Sequence, residues 1–581
     1  MKQVCLSTER IRVFTLALWL VGCGFGFAEN NETPDGPMPN GWLIAAKDVL
    51  SEQNPTNRNL SFQEITNRIF QQSLAGNPEA QGLWSAVTII NSHSAEAVQV
   101  GIELMRVSAE KGYVPAMTQL GLLYESGKYA PKNYNQAVHW FGLAAEKGDN
   151  EAQLQLGGCY HYGLGVTPNY TTAATWYRRS AAQTNYVAMK SLGWLLMNGL
   201  GVATNTEEAV HWLTRAATEG NNRRAMVNLG AISVLSWQKS AETNFIIEAF
   251  DWMKKGAELG DALAAQQLAL FYLNGFGVAT NLPSYRYWRF KAAMLGATES
   301  QYAMGVAYRL GDGLPKDEEN SLVWLRRAAA KNHPLALYDL AVYSFGQRTN
   351  GEALRLSVAY FLAAAQAGHR EAQVQCAMNC FRGDLEGANC EAGKRWLNLA
   401  AEAGWARAEF ILFNLLFNGR APSPDCPAYP KDIAQAVKWI HLAADHGDLQ
   451  AQSTLAVMLI QGAGMDKNPT EAIGLLRRAA ERGFALAQND LGFALANGVG
   501  GEPDYIEAAK WCELATTNPT VLARANINLR NMRSHLTEAQ QRQASTEAQQ
   551  FKALPNFDPS PVPVGWQNSS GYQQEDGEFG H

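Results

Sequence analysis

The sequence predicts an all-α solenoid of paired helices behind an export leader. A tryptophan returns most often every 36 residues, at Trp140, Trp176, Trp212, Trp252, Trp288, Trp324, Trp396, Trp439 and Trp511. Eight residues after it, or after the Tyr360 and Leu475 that replace it twice, stands a glycine: Gly148, Gly220, Gly260, Gly296, Gly368, Gly404, Gly447 and Gly483. A Leu-Gly or Leu-Ala pair follows at a similar interval, as in Leu120-Gly121, Leu156-Gly157, Leu192-Gly193, Leu229-Gly230, Leu268-Ala269, Leu455-Ala456 and Leu491-Gly492. Three columns sharing one period exclude coincidence and define a repeat.

The leader comes first along the chain. Lys2, Arg10 and Arg12 precede an uncharged, Leu-, Val- and Phe-rich run from Val13 to Ala28, the layout of a bacterial-type signal peptide. Two cleavage readings stand side by side: Gly26-Phe27-Ala28 fits ordinary signal cleavage, and Leu20-Val21-Gly22-Cys23 fits a lipoprotein signal whose cysteine is kept and acylated. An uncut anchor fits less well, because the run is shorter than the ~20 residues a spanning helix needs. Removing residues 1–28 takes away three basic residues and one acidic one and changes the formal charge from −6 to −8. Such a chain is not built to attract nucleic-acid phosphates. The expected order is a signal peptide over 1–28, a linker with capping helices over 29–76, about twelve repeats over 77–519, C-terminal capping helices over 520–551 and a disordered tail over 552–581.

Each repeat reads as two helices, since apolar residues fall at three- and four-residue spacing in both halves and almost nothing alternates with period two. In the unit from Asp149, the first helix runs through Ala152, Leu156 and Tyr160 and stops at Gly163-Leu164-Gly165-Val166; the second starts at Asn169 and carries Ala173, Trp176 and Ala181. Asn or Asp recurs in the capping place at Asn133, Asn205, Asn281, Asp317, Asp432, Asn468 and Asp504, where its side chain satisfies first-turn amides. The glycine that closes the second helix lets the chain turn back. One unit cannot bury its apolar stripe alone, so neighbours must stack. Two units depart from the pattern. The one from Asn221 has Ser236-Trp237-Gln238-Lys239 in place of the Gly-x-Gly loop, read as a loop insertion, and the one from Trp405 carries an extra bulge at Ala421 to Pro427. At the ends, Ser61 and Glu64 are spaced as a capping box, and Thr537 precedes a Gln- and Glu-rich helix.

The Leu-Gly pair, Gly-x-Gly-Val loop, Asp or Asn cap, tryptophan and Ala-Ala-x-x-Gly end closely resemble the Sel-one-like repeat, a relative of the tetratricopeptide repeat. The resemblance covers eleven units starting at Tyr113, Asp149, Asn185, Asn221, Asp261, Ala297, His333, His369, Trp405, Asp448 and Phe484, with a decayed twelfth over 77–112. It implies a right-handed superhelix of helix-turn-helix repeats that serves as an adaptor or assembly platform. It also implies a second possibility, since some secreted bacterial members are linked to host interaction and to weak hydrolysis or binding of penicillin-like compounds.

The chemistry in the residues themselves is sparse. Ser236 and Lys239 match a Ser-x-x-Lys pair, but the Lys-Thr-Gly and Ser-Asp-Asn partners of penicillin-recognising enzymes are absent. The Gly-x-Gly loops follow no strand and read as turns, so no cofactor is expected. No His-Glu-x-x-His or Cys-x-x-Cys indicates a metal. Cys376 and Cys380 read as small core residues, and Cys390 and Cys426, in consecutive units, are candidates for a disulfide. The tetratricopeptide analogy implies a groove along the first helix of each pair, formed by Trp194, Asn198, Asn274, Tyr302, Arg309, Tyr338, Phe345, Phe381, Arg382, Phe410, Phe417, Asn418, Phe493 and Asn497. Aromatics with amides suit an extended protein segment or peptide, or a glycan; the competing reading packs these rings between neighbouring helices. The functional expectation is an exported, periplasmic or extracellular, non-catalytic scaffold that meets membrane only through a lipid anchor at Cys23. The alternative is a secreted hydrolase of lactam or cell-wall-like substrates, for which no nucleophile with an adjacent base can be singled out.

Overall fold

The computed structural model describes residues 62–91, 95–347, 351–383 and 389–554. The leader with Cys23, the capping-box serine Ser61 and the segment 555–581 lie outside the described residues. Within them the chain forms 27 α-helices and no strand. It divides into two compact bodies, 62–295 and 296–554.

The first body opens with the helix Phe62–Leu74 and continues as pairs, of which Asn150–Tyr162 with Tyr170–Ala182 is representative. We call the first helix of each pair A and the second B. The second body runs from the pair Thr298–Leu310 and Glu318–Ala329 to Ala485–Ala496 and Tyr505–Ala515, and closes with Leu522–Arg533 and Glu538–Gln550. Within each body consecutive helices pack on one another, except that the final helix Glu538–Gln550 packs on Tyr505–Ala515 rather than on Leu522–Arg533. The sequence-predicted caps operate as expected: Asn133, Asn169, Asn205, Asn281, Asp317, Asp432, Asn468 and Asp504 each accept a hydrogen bond from a first-turn amide of the B helix that follows. Thr537 forms a reciprocal capping box with Gln540.

The small-residue columns make room for rings. A Cβ on Gly157 would lie 2.7 Å from the Tyr177 ring, and one on Gly121 would collide with Phe141. Tyr177 and Phe141 are accordingly fully buried. The Gly-x-Gly loops sit against the preceding unit. Gly165, at φ +71°, has the Tyr134 carbonyl only 2.6 Å from where a Cβ would be, and Thr171 Oγ1 donates to Gly201 O at 2.8 Å. These glycines therefore serve backbone packing between consecutive units. The tryptophans fall in two groups: Trp140, Trp176, Trp324 and Trp511 are buried, whereas Trp212, Trp252, Trp288, Trp396 and Trp439 are half-buried. A basic residue three positions on lies over the ring in five units, with Arg179 4.5 Å from Trp176, Arg215 5.8 Å from Trp212, Lys255 4.6 Å from Trp252, Lys291 4.6 Å from Trp288 and Arg327 4.7 Å from Trp324. Its stem shields the ring while its charge stays wet.

One expectation fails. Ser236 to Lys239 is not a loop insertion: the A helix of that unit continues unbroken from Arg223 to Ser240, replacing the glycine turn by an extra helical turn. The chain has no glycine there to stop the helix, and Ala241 takes the left-handed closing conformation in its place.

Candidate functional site

The last turn of the A helices gathers most of the polar residues expected in a groove. Asn198, Asn274, Asn418 and Asn497 occupy the same place, just before or at the left-handed turn, and each turns its Nδ2 back to donate to the carbonyl four residues earlier: Trp194 O at 2.8 Å, Leu270 O at 3.0 Å, Asn414 O at 2.9 Å and Phe493 O at 2.7 Å. Phe493 O also accepts the Asn497 backbone amide at 3.3 Å, so the side-chain amide is a second donor bonded back onto the last helical turn, and the same pattern recurs at the other three asparagines. What each side chain can still offer a ligand is its Oδ1 acceptor. Arg309, Arg382 and Phe493 share this end of the A helices and are exposed, Phe493 to 51%. Arg309 pairs with Asp339 at 3.1 Å, and Arg382 donates to Asn379 Oδ1 at 2.7 Å.

The aromatic positions are bound into contacts between units. Trp194 stacks on His161 of the preceding A helix, with ring centroids 5.3 Å apart. Tyr302 stacks on His333 at 4.7 Å and Tyr338 on His369 at 4.3 Å. His333 and His369 are themselves the N-caps of the next A helices, their Nδ1 atoms accepting from Ala336 N at 3.2 Å and Ala372 N at 3.1 Å. Thr118 makes the corresponding contact by donating to the cap Asp149 at 3.0 Å. His333 Nε2 lies 3.1 Å from Glu299, whose carboxyl this hydrogen bond holds below its ordinary range. Burial raises the Asp339 carboxyl, with Arg309 opposing, and pushes His369 down to about 4. Tyr302, Tyr338 and Trp194 remain half-buried, and Phe345 is half-buried as well.

Phe381 does not belong to any groove. It is 3% exposed and lies in the core of its unit, where a Cβ on Gly393 of the B helix would collide with its ring. Other units carry alanine at that B-helix place, as at Ala173 and Ala436; only the smaller glycine admits a phenyl ring. Phe410 and Phe417 flank the buried Phe413 on one helix, at centroid distances of 5.8 and 5.3 Å, and are half-buried. They and Phe381 are therefore not an equivalent triplet. Cys390 and Cys426 are joined in a disulfide that ties the bulge of one unit to the B helix of the preceding one.

A column that sequence reading missed is a glutamine in the first turn of the A helix. Gln153, Gln373, Gln452 and Gln488 are buried and donate to Ala145 O, Ala365 O, Ala444 O and Ala480 O at 3.1, 3.3, 2.9 and 3.2 Å, stapling each A helix to the preceding B helix. The signal was present eight residues after the second alanine of each pair.

Reactive chemistry is not assembled among these groups. The buried thiols of Cys159, Cys376 and Cys512 are pushed up to about 12 by burial, so they are protonated at neutral pH and poor nucleophiles. His333 and His446 bond carboxylates, Glu299 and Glu409, but no serine or thiol. Ser534 Oγ lies 3.3 Å from His535 Nδ1, but the hydroxyl donates to Asn531 O at 2.6 Å and the ring nitrogen lies 2.9 Å from the same carbonyl, so both groups are engaged with the end of their own helix. Lys239 is exposed at the end of its helix, three residues after Ser236.

With this geometry in place, the comparisons decide the family. The model for the Sel1 repeat matches eleven consecutive segments: 114–149, 150–185, 187–221, 224–261, 262–296, 298–333, 334–369, 370–405, 406–448, 449–484 and 485–518. The chain belongs to the Sel1 repeat family. Among solved structures, these Sel1 repeats are similar to a protective antigen of uropathogenic Escherichia coli displaying an SLR fold. The TM-score is 0.53 at 29% identity, covering 78% of this chain and 94% of that one. The chitin synthase regulator SKT5 of Saccharomyces cerevisiae is 28% identical over 278 residues, covering 40% of this chain and 39% of that protein. Chitin synthase regulatory factor 3 of Schizosaccharomyces pombe is 27% identical over 233 residues, covering 39% and 24%. An exopolysaccharide production negative regulator of Rhizobium leguminosarum bv. viciae is 30% identical over 150 residues, covering 23% and 54%. The chain thus spans between a quarter and about half of the length of these curated relatives.

Proposed function

We propose that this Sel1 repeat protein is an exported, non-catalytic scaffold that holds a protein or peptide partner along the A-helix ends. The observation that carries the reading is the asparagine repeated in the last turn of the A helices of each body. Asn198, Asn274, Asn418 and Asn497 each have the amide nitrogen fixed to their own helix, which orients the Oδ1 acceptors at one repeated place. Within the second body, the oriented acceptors of Asn418 and Asn497, with Arg309, Arg382 and Phe493 at the same A-helix ends, suit the amide groups and side chains of an extended segment. Family members that regulate synthases, rather than perform the synthesis themselves, accord with a holding role.

Export rests on the leader, and its test is the mass of the N-terminus after expression in a Gram-negative host. A mature start at Glu29 or a lipidated Cys23 supports it, and an intact Met1 opposes it. The scaffold reading is tested against the hydrolase reading by incubating purified protein with a chromogenic lactam and with peptidoglycan fragments. No turnover above buffer is expected. Turnover that saturates and is lost on Ser236→Ala would favour the enzyme.

A further inference from the structure

In both bodies the loop after an A helix covers the start of the preceding B helix. Gly165 abuts the Tyr134 carbonyl, Gly201 O accepts from Thr171 Oγ1 at 2.8 Å, Gly464 abuts Ile433, and Gly500 lies against Pro469 O. Tyr134, Tyr170, Ile433 and Pro469 are the first residues of their B helices. Glu318 holds that place in Glu318–Ala329, but the next unit has no loop to cover it. Seven residues separate Leu449–Gln461 from Pro469–Glu481, whereas only four separate Pro334–Gly346 from Gly351–Gln366, with no Gly-x-Gly between them. A groove of about 430 Å³ runs along the open B helix, lined by Glu318, Glu319, Leu322, Val323, Arg326 and, from the next A helix, Tyr343.

A second departure falls in the same groove. Arg178 pairs with Glu208 of the next B helix at 2.9 Å, and Arg477 pairs with Glu507 in the same way. Each arginine stands two residues after a tryptophan-column position, Trp176 or Leu475, and each glutamate four residues before the next one, Trp212 or Trp511. Counted likewise from Trp324 and Tyr360, the arginine is Arg326 but the place of the glutamate is taken by Leu356, which is 48% exposed. Among the described residues no ion pair holds Arg326, Glu318 or Glu319.

Glu319, Leu322, Val323 and Arg326 fall at i, i+3, i+4 and i+7 and so share one helix face. The groove therefore carries two carboxylates at one end, apolar side chains in the middle and a guanidinium roughly 10 Å further along, at ~1.5 Å per helical residue. Three steps of extended chain span that distance. We propose that this groove binds an extended segment of a partner protein in which a Lys or Arg, an aliphatic residue and a carboxylate follow one another within four positions. The cation meets Glu318 and Glu319, the aliphatic side chain covers Leu322 and Val323, and the carboxylate meets Arg326. The segment takes the place that a Gly-x-Gly loop fills in other units, and charge complementarity fixes its direction. None of the lining residues belongs to the A-helix row, so the groove does not depend on the scaffold reading.

The test presents the full chain with a positional-scanning library of N-acetylated hexapeptides. The expected selection is Lys or Arg, then Leu, Ile or Val, with Asp or Glu three positions after the cation. Leu356→Glu restores the carboxylate that pairs Arg178 and Arg477 in other units, and should weaken the best peptide about tenfold by fluorescence anisotropy, as for loss of one charged contact. Exchanging the charges, Glu319→Arg together with Arg326→Glu, should reverse the order of the selected charges. The three altered positions are exposed, so the helical signal should stay unchanged, and a reversed selection is itself evidence of a folded groove. No selection at all would overturn the proposal. So would the same selection by wild type and the exchanged variant, which would place the peptides elsewhere, or selection for apolar residues without an order of charges. Neither variant touches the A-helix row, so the two readings fail separately.

Discussion

His333 and His369 do a task that other units give to Asn or Asp: an imidazole nitrogen accepts the first-turn amide of an A helix. The acceptor is the nitrogen lone pair, so a proton placed there removes the cap. For His369 the direction follows from burial, which pulls the ring down to about 4, while an unfolded histidine titrates near ~6.5. Between those values the unfolded chain holds a proton that the folded chain lacks. Stability therefore falls as the pH drops from ~6.5 towards 4, and above ~6.5 the effect vanishes. The neighbouring groups are Tyr338, stacked on the ring, and Glu371 and Arg407, which pair with each other. His369→Asn keeps a capping acceptor, as Asn185 shows, without a titrating ring. It should flatten the melting temperature against pH between 6.5 and 4, recovering on the order of 1–2 kcal/mol once solvent screening is allowed for. Parallel pH profiles for wild type and variant would show that this cap does not control acid sensitivity.

At the level of the helix pair, the sequence columns reveal position more readily than role. The caps Asn133 to Asp504 were legible because a short acceptor before an apolar run has one use. The asparagines of the A-helix ends were legible as a column, but their bonding back to the carbonyl four residues earlier is set by the side-chain rotamer, which no spacing displays. Phe381 misled because the residue that makes room for it, Gly393, lies twelve positions on, in another helix. That pairing gives a prediction: Gly393→Ala should destabilise the protein by ~1–3 kcal/mol through overpacking. The same change beside Phe381→Leu should cost clearly less, as a denaturant double-mutant cycle would reveal. Additive costs would mean that the two side chains do not share one space. By the same reasoning Trp324→Ala, which empties a buried site, should cost ~3–5 kcal/mol, and His211→Ala, on an exposed ring, almost nothing.

Across the whole molecule, each helix pair touches mainly its neighbours, and the described chain forms two compact bodies, 62–295 and 296–554. Cooperativity in such arrays extends only as far as the interfaces carry it. Unfolding should accordingly take more than one step, with a calorimetric enthalpy larger than the van't Hoff value. A single transition with equal enthalpies would show the bodies to be one cooperative unit. The frame of eleven repeats was readable from the period alone; the division into two bodies was not, since no change of period or linker marks residue 295.

The claim that a partner lies along the A-helix ends is tested most directly by placing a photo-crosslinking amino acid singly at Asn274, Asn418 and Asn497, and as controls at the exposed His139 and His211 of the B helices, in the full-length protein expressed in its native host. The account predicts one shared adduct, identified by mass spectrometry, from Asn418 and Asn497 of the second body, an adduct at Asn274 of the first, and none from the controls. The same adduct from both sets, or from the B-helix positions alone, would contradict it.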